Sequence, residues 1–216
     1  MGITQQIGAS SLIKPGVIDN TAARPASPFE GQVIFQKDTD QLLVWNGTAW
    51  VIPNSPAQNP QGLEFITSST VGTAVSSVTV SSCFSATYDN YKIIMSGGTG
   101  TANTNISFAF NGSPAGWDGN IIYANYAGGA VSSIGYSNLT NVTYAGGTKN
   151  SYALLSAEVS TPFLAQPSGF SAPYTVTDAG SSIARHSAST SYTGFILTPS
   201  SGTLTGGTIT VYGYRK

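Results

Sequence analysis

Three observations predict an all-β fold for this 216-residue chain. Apolar residues alternate with a period of two from Gly62 onward, clusters of Gly, Ser and Asn cut the chain into short runs, and no segment carries a capped 3.6-residue stripe. The expected architecture has four parts. Residues 1–31 form an extended anchoring arm, and 32–52 a small β-meander for attachment or trimerisation. Residues 53–62 are a Pro-rich linker, and 63–216 a jelly-roll-like antiparallel β-sandwich.

The arm is assigned because Pro15-Gly16, Pro25 and Pro28 punctuate a stretch without periodicity. Proline pushes the residue before it toward extended conformations. Met1 to Ile13 has neither a basic start nor an apolar run, so no secretory signal is expected.

The meander rests on a hairpin. Asn46-Gly47 lies between two apolar runs, Leu42 to Trp45 and Thr48 to Val51. Asn-Gly accepts the positive φ that both centres of a type I′ turn require. That turn pairs Trp45 with Thr48 and Leu43 with Trp50. Alternation then sets Leu43, Trp45 and Trp50 on one face, with Leu42, Val44, Ala49 and Val51 on the other. An earlier run, Gln32 to Lys37, adds a third strand that carries Phe35. Three short strands cannot bury two apolar faces unaided. Phe35, Leu43, Trp45 and Trp50 are therefore expected to pack and assemble, against a partner chain.

Beyond the linker, Tyr91, Ile93 and Met95 share a face, as do Phe108 and Phe110. Ala153, Leu155, Ala157 and Val159 form another set, and Ile209 and Val211 oppose Thr208, Thr210, Tyr212 and Tyr214. Ser96 to Gly100, Gly128-Gly129, Gly146-Gly147, Ser200 to Gly202 and Gly206-Gly207 read as turns. About eight strands over this length suit a jelly roll.

Composition narrows the function. Only 8% of residues are charged, with a net charge of −1, eleven Tyr and nine Phe; a typical protein carries about 25% charged residues. Eight scattered Lys and Arg make no basic stripe, so no nucleic-acid partner is expected. No run approaches the roughly 18 apolar residues of a membrane helix, so no insertion is expected. A neutral β surface is safest with its edges paired in an assembly. Cys83 is the only cysteine and His186 the only histidine, so no cofactor or metal site is expected. Catalysis is not expected either. Glycoside hydrolysis needs two carboxylates flanking a bond, and Glu64, Asp89, Asp118, Glu158 and Asp178 show no such pairing.

Residues 111–145 are the least strand-like part of the second domain and rich in aromatic side chains. Trp117, Tyr123, Tyr126, Tyr136 and Tyr144, with Asp118, are expected in long loops on a β scaffold, where binding usually resides. Flat rings cover sugar C–H faces, and amides satisfy hydroxyls. The same mixture suits packing between subunits, or a loop folded over its own core.

The pattern Pro28-x-x-Gly31-Gln32, followed by Trp45-Asn46-Gly47-x-x-Trp50, resembles a module of structural proteins of tailed bacteriophages. Leu63-Glu-Phe-Ile, Tyr88 to Ile94 and Gly207 to Arg215 resemble jelly-roll strands of phage appendage proteins. The resemblance implies a non-enzymatic virion protein, assembled in the host cytoplasm and released by lysis. It implies a homotrimer that contacts other virion proteins of the tail or capsid. The role implied is a short tail fibre that attaches to a host surface glycan. The alternative is a capsid decoration or head-fibre protein docked through its arm.

Overall fold

In the computed structural model, which describes residues 15–53, 62–176 and 178–215, the chain divides into two compact units, Met1–Gln61 and Gly62–Lys216. Residues 1–14 of the expected arm lie outside the described residues. So does the expected linker, apart from Pro53 and Gly62.

The first unit is a sheet of four strands in chain order: β1 (Gly16–Ile18), β2 (Val33–Gln36), β3 (Gln41–Trp45) and β4 (Trp50–Val51). β1 runs parallel to β2, with Val17 opposite Phe35. Within the expected arm, Gly16–Ile18 is thus a strand paired into the first sheet. Asn20 then caps a single 3-10 turn, Thr21–Ala23. The return is held by Gln36, whose side chain accepts from Arg24 Nε at 2.8 Å and donates to Thr21 Oγ1 at 3.1 Å and Asp38 Oδ1 at 2.7 Å. Gln36 is fully buried, and these bonds occupy its carbonyl and both amide hydrogens, so burial leaves nothing unmet.

The hairpin differs from expectation in its turn. Trp45 pairs with Trp50, and Val44 with Val51. The Asn46 side chain accepts from the backbone N–H of Thr48 and Ala49, at 3.0 and 2.8 Å. This local capture widens the loop to four residues, and only Gly47 takes positive φ. The shift is by two residues, so side chains keep their faces. The two tryptophan rings meet edge-on, with centroids 5.6 Å apart. Leu43 is buried beside its cross-strand partner Ile34. Phe35 stands on the opposite face in a row with Val17 and Leu42, which are 52% and 43% exposed.

The second unit holds thirteen strands among the described residues: β5 (Leu63–Thr70), β6 (Val78–Val80), β7 (Asn90–Gly100), β8 (Thr104–Phe110), β9 (Trp117–Asn125), β10 (Ser132–Leu139), β11 (Val142–Lys149), β12 (Tyr152–Ser160), β13 (Ser168–Tyr174), β14 (Asp178–His186), β15 (Phe195–Pro199), β16 (Leu204–Thr205) and β17 (Thr208–Tyr214). Every pairing within it is antiparallel. One layer runs β5-β17-β7-β12-β13-β14-β9-β10. The other runs β11-β8-β15-β6. The layers join at β12, which pairs with β11 through its first residues and with β13 through its last.

The alternating sets in the sequence supply the core between the layers. Tyr91, Ile93, Met95, Phe108, Phe110, Ile209 and Val211 are all buried, with Leu155, Ala157 and Val159. Phe108 stacks on Phe195 at 5.3 Å and faces Phe170 across the sandwich at 5.0 Å. Burial pushes the Cys83 thiol up to about 12, which keeps it a neutral core side chain.

Residues 117–125, 132–139 and 142–149 are strands, not the long loops expected there. Their alternation is hidden by Gly, Asn and Ser, which carry low strand propensity. Pairing on both sides of β9 overrides it. Gly146-Gly147 reads as a turn yet lies inside β11. A Cβ at Gly146 would sit 2.6 Å from the Leu154 carbonyl, and one at Gly147 2.4 Å from Val176 Cγ2, so close approach is what requires the pair.

His186 closes β14 inside an aromatic box, with ring centroids 5.0 Å from Trp117, 5.4 Å from Tyr192 and 5.7 Å from Phe110. Its Nε2 lies 3.5 Å from the Pro114 carbonyl, and Nδ1 has no hydrogen-bond partner. Burial lowers its pKa from the ordinary 6.5, against a smaller upward pull from Pro114. From about pH 6.5 down to the folded value, the unfolded chain takes up the extra proton, so stability falls with pH through that window. Denaturation midpoints at about pH 7 and pH 5.5 are expected to differ in wild type and to converge in His186→Phe. An undiminished difference in the variant would assign the loss to other groups.

Candidate functional site

The inner face of β13, β14, β9 and β10 changes character along its length. Register places Trp117 beside His186, and then Tyr136, Gly119, Ala184 and Phe170 in one cross-strand row. The next row is Ile134, Ile121, Ser182 and Ala172, followed by Ser132, Tyr123, Gly180 and Tyr174. The first rows pack into the main core. At the last rows the two layers part, leaving a cleft of about 220 Å³ lined by Asn105, Ile121, Tyr123, Ile134, Tyr144, Tyr174 and Asp178.

Each wall has a local cause. Gly180 stands between Tyr174 and Tyr123 in the row, and its missing side chain leaves room between them. A Cβ there would lie 2.5 Å from the Ile122 carbonyl and 2.8 Å from Tyr123 Cβ. From the opposite layer β11 brings Tyr144, whose ring meets Tyr174 at a right angle with centroids 5.9 Å apart. From β8 comes Asn105, whose side-chain carbonyl accepts a short hydrogen bond from the Tyr174 hydroxyl. Tyr152 donates to the Val176 carbonyl at 3.3 Å, tying down the chain just before the cleft rim. Ile121, Tyr174 and Val176 form a buried cluster under the cleft, with Tyr123 and Tyr144 packed on it.

The residues expected to bind ligand separate into three groups. Tyr123 and Tyr144 come together in the cleft. Tyr126, 61% exposed, lies in the turn after β9, one residue past Asn125, the strand partner of Asp178. The rest are corrected. Trp117 is fully buried among Phe108, Phe110, Phe170 and His186. Tyr136 points into the core, and a Cβ on Gly119 would meet its hydroxyl at 2.5 Å. Asp118 lies on the outer face. Its Oδ1 accepts from Ser137 Oγ at 2.7 Å and Asn138 N–H at 3.0 Å, and its Oδ2 from Arg185 at 3.2 Å. Those bonds, Ser137 first, hold its pKa below the ordinary carboxylate value. Asp118 latches β10 and β14 to β9, and Asn138 turns there at φ 56°.

Tyr174, Asn105 and Asp178 were not expected at a binding site from the sequence. Register across β13, β14 and β9 brings Tyr174 and Asp178 toward Tyr123, and the packing of the opposite layer brings Asn105. Among the described residues no group of three His, Cys, Asp or Glu is placed to hold a metal ion. The cleft therefore offers aromatic faces, an amide and one carboxylate. That chemistry is suited to a ligand with apolar C–H surface and several hydroxyls. No protein-family model, curated protein or solved structure matches the chain.

Proposed function

We propose that this chain is a non-enzymatic structural protein of a bacteriophage particle, a short tail fibre whose second unit attaches to the host surface through the tyrosine-lined cleft. The observation that carries the proposal is the convergence of Tyr123, Tyr144 and Tyr174 with Asn105 and Asp178 in one cleft. The resemblance of the Pro28 to Trp50 module to phage structural proteins supports it. In this proposal the sandwich is of jelly-roll type, and the protein is a homotrimer bound to other virion proteins. Trimeric copies on one particle convert weak single-site contacts into firm attachment.

A second role has its own support. The row of Val17, Phe35 and Leu42 on the first sheet, with Val17 and Leu42 exposed and Phe35 half-buried between them, suits docking on a capsid as a decoration protein.

The test is a C-terminal gold-tagged antibody on intact virions. Label at the tail is the expected result and supports attachment. Label over the head transfers the functional weight to the first unit. Unlabelled virions would overturn the phage assignment.

A further inference from the structure

We infer that the cleft takes a single terminal hexopyranose ring without ionic charge and rejects acidic sugars. This rests on the binding role proposed above and gives that role a ligand class.

Size sets the first limit. Sites for drug-sized ligands occupy roughly 300–1,000 Å³, and a cleft of about 220 Å³ has room for one ring rather than a chain. Shape sets the second. Tyr144 and Tyr174 meet at 90°, and Tyr123, Ile121 and Ile134 complete an apolar lining. A pyranose presents a flat C–H face to one such ring and an edge to the other, while its hydroxyls project outward.

Polarity sets the third. The Tyr174 hydroxyl donates to the Asn105 carbonyl and so fixes the amide, directing its N–H₂ group as a donor to a ring hydroxyl. Among the described lining residues Asp178 is the sole charged one, and none is Lys, Arg or His. A carboxylate accepts from sugar hydroxyls and repels a second carboxylate. Discrimination against an isostere that adds charge is strong when the site cannot neutralise it.

The experiment titrates the full chain with methyl glucoside and, separately, with the methyl glycoside of glucuronate, which differs from it only by a carboxylate at C6. Binding is followed by tyrosine fluorescence and by the methyl resonances of Ile121 and Ile134. Methyl glucoside is expected to bind in the millimolar range and the glucuronate glycoside at least ten-fold more weakly. Asp178→Asn is expected to bring the two within about three-fold. Tyr174→Phe, which removes the hydroxyl that holds the Asn105 carbonyl and keeps the Asp178 carboxylate, is expected to weaken methyl glucoside binding and keep the ratio. Equal binding of both sugars by the wild type, or an unchanged ratio in Asp178→Asn, overturns the charge selection. If neither sugar binds while alanine at Tyr123 and Tyr144 still blocks adsorption to cells, the ligand class falls and the binding role stands. If neither sugar binds and that variant adsorbs normally, both fall.

Discussion

Replacing Trp117 with alanine is expected to lower stability by about 3–5 kcal/mol, the usual cost of deleting a buried tryptophan. Folded domains are stable by roughly 5–15 kcal/mol, so the variant falls close to the unfolding threshold. The indole is fully buried and touches Phe108, Phe110, Phe170 and His186, which come from both layers of the sandwich. Its removal leaves a cavity at the crossing of those layers, and a twisted sheet cannot collapse to fill it. Trp117→Phe keeps most of the contact. It also loses no hydrogen bond, because the indole Nε1 has no partner. Denaturant midpoints should therefore place Trp117→Phe well above Trp117→Ala. An alanine variant as stable as the wild type would contradict the core position.

Under the proposed attachment role, alanine at both Tyr123 and Tyr144 is expected to abolish adsorption to host cells while leaving the fold intact. Both rings are partly exposed and pack on the small cluster of Ile121, Tyr174 and Val176, away from the main core. Truncation then costs contact area at the cleft rather than layer packing. Stability, read from denaturant midpoints, should fall by only about 1–2 kcal/mol in all, about the average for two point substitutions. Adsorption, which multiplies each site's affinity over the copies on a particle, should fall by orders of magnitude. Normal adsorption by a folded double variant would remove the cleft from attachment.

The contrast between these variants marks how far the sequence was legible. Strand alternation identified the buried faces of β7, β8, β12 and β17, because in each of them β-branched, aliphatic or aromatic residues recur at every second position. It failed at β9, β10 and β11. There the inward positions include Gly119 and Gly147, whose missing side chains are needed by Tyr136 and Val176. Small residues that packing demands look like turn residues to a propensity argument. Aromatic density drew together residues with different places in the fold. Trp117 and Tyr123 lie six positions apart on one strand face, yet one fills the core and the other lines the cleft. What separates them is where the layers diverge, a property of register across strands distant in the chain. Tyr174, Asn105 and Asp178 stayed hidden for the same reason. In the first unit, Asn-Gly located the hairpin, while the side chain of Asn46 chose a different turn by capturing two backbone amides.

The pairing of β5 with β17 sets Leu63 directly opposite Tyr214. The second unit therefore begins and ends at one place, like a loop drawn shut by its own first and last strands. Domains whose ends meet are readily inserted into other chains, since the joint adds little closure entropy to the recipient. In modular terms the sandwich is a cassette with a single doorway. Another carrier could accept it there, and a circular rearrangement could reopen it elsewhere, with the cleft carried along unchanged.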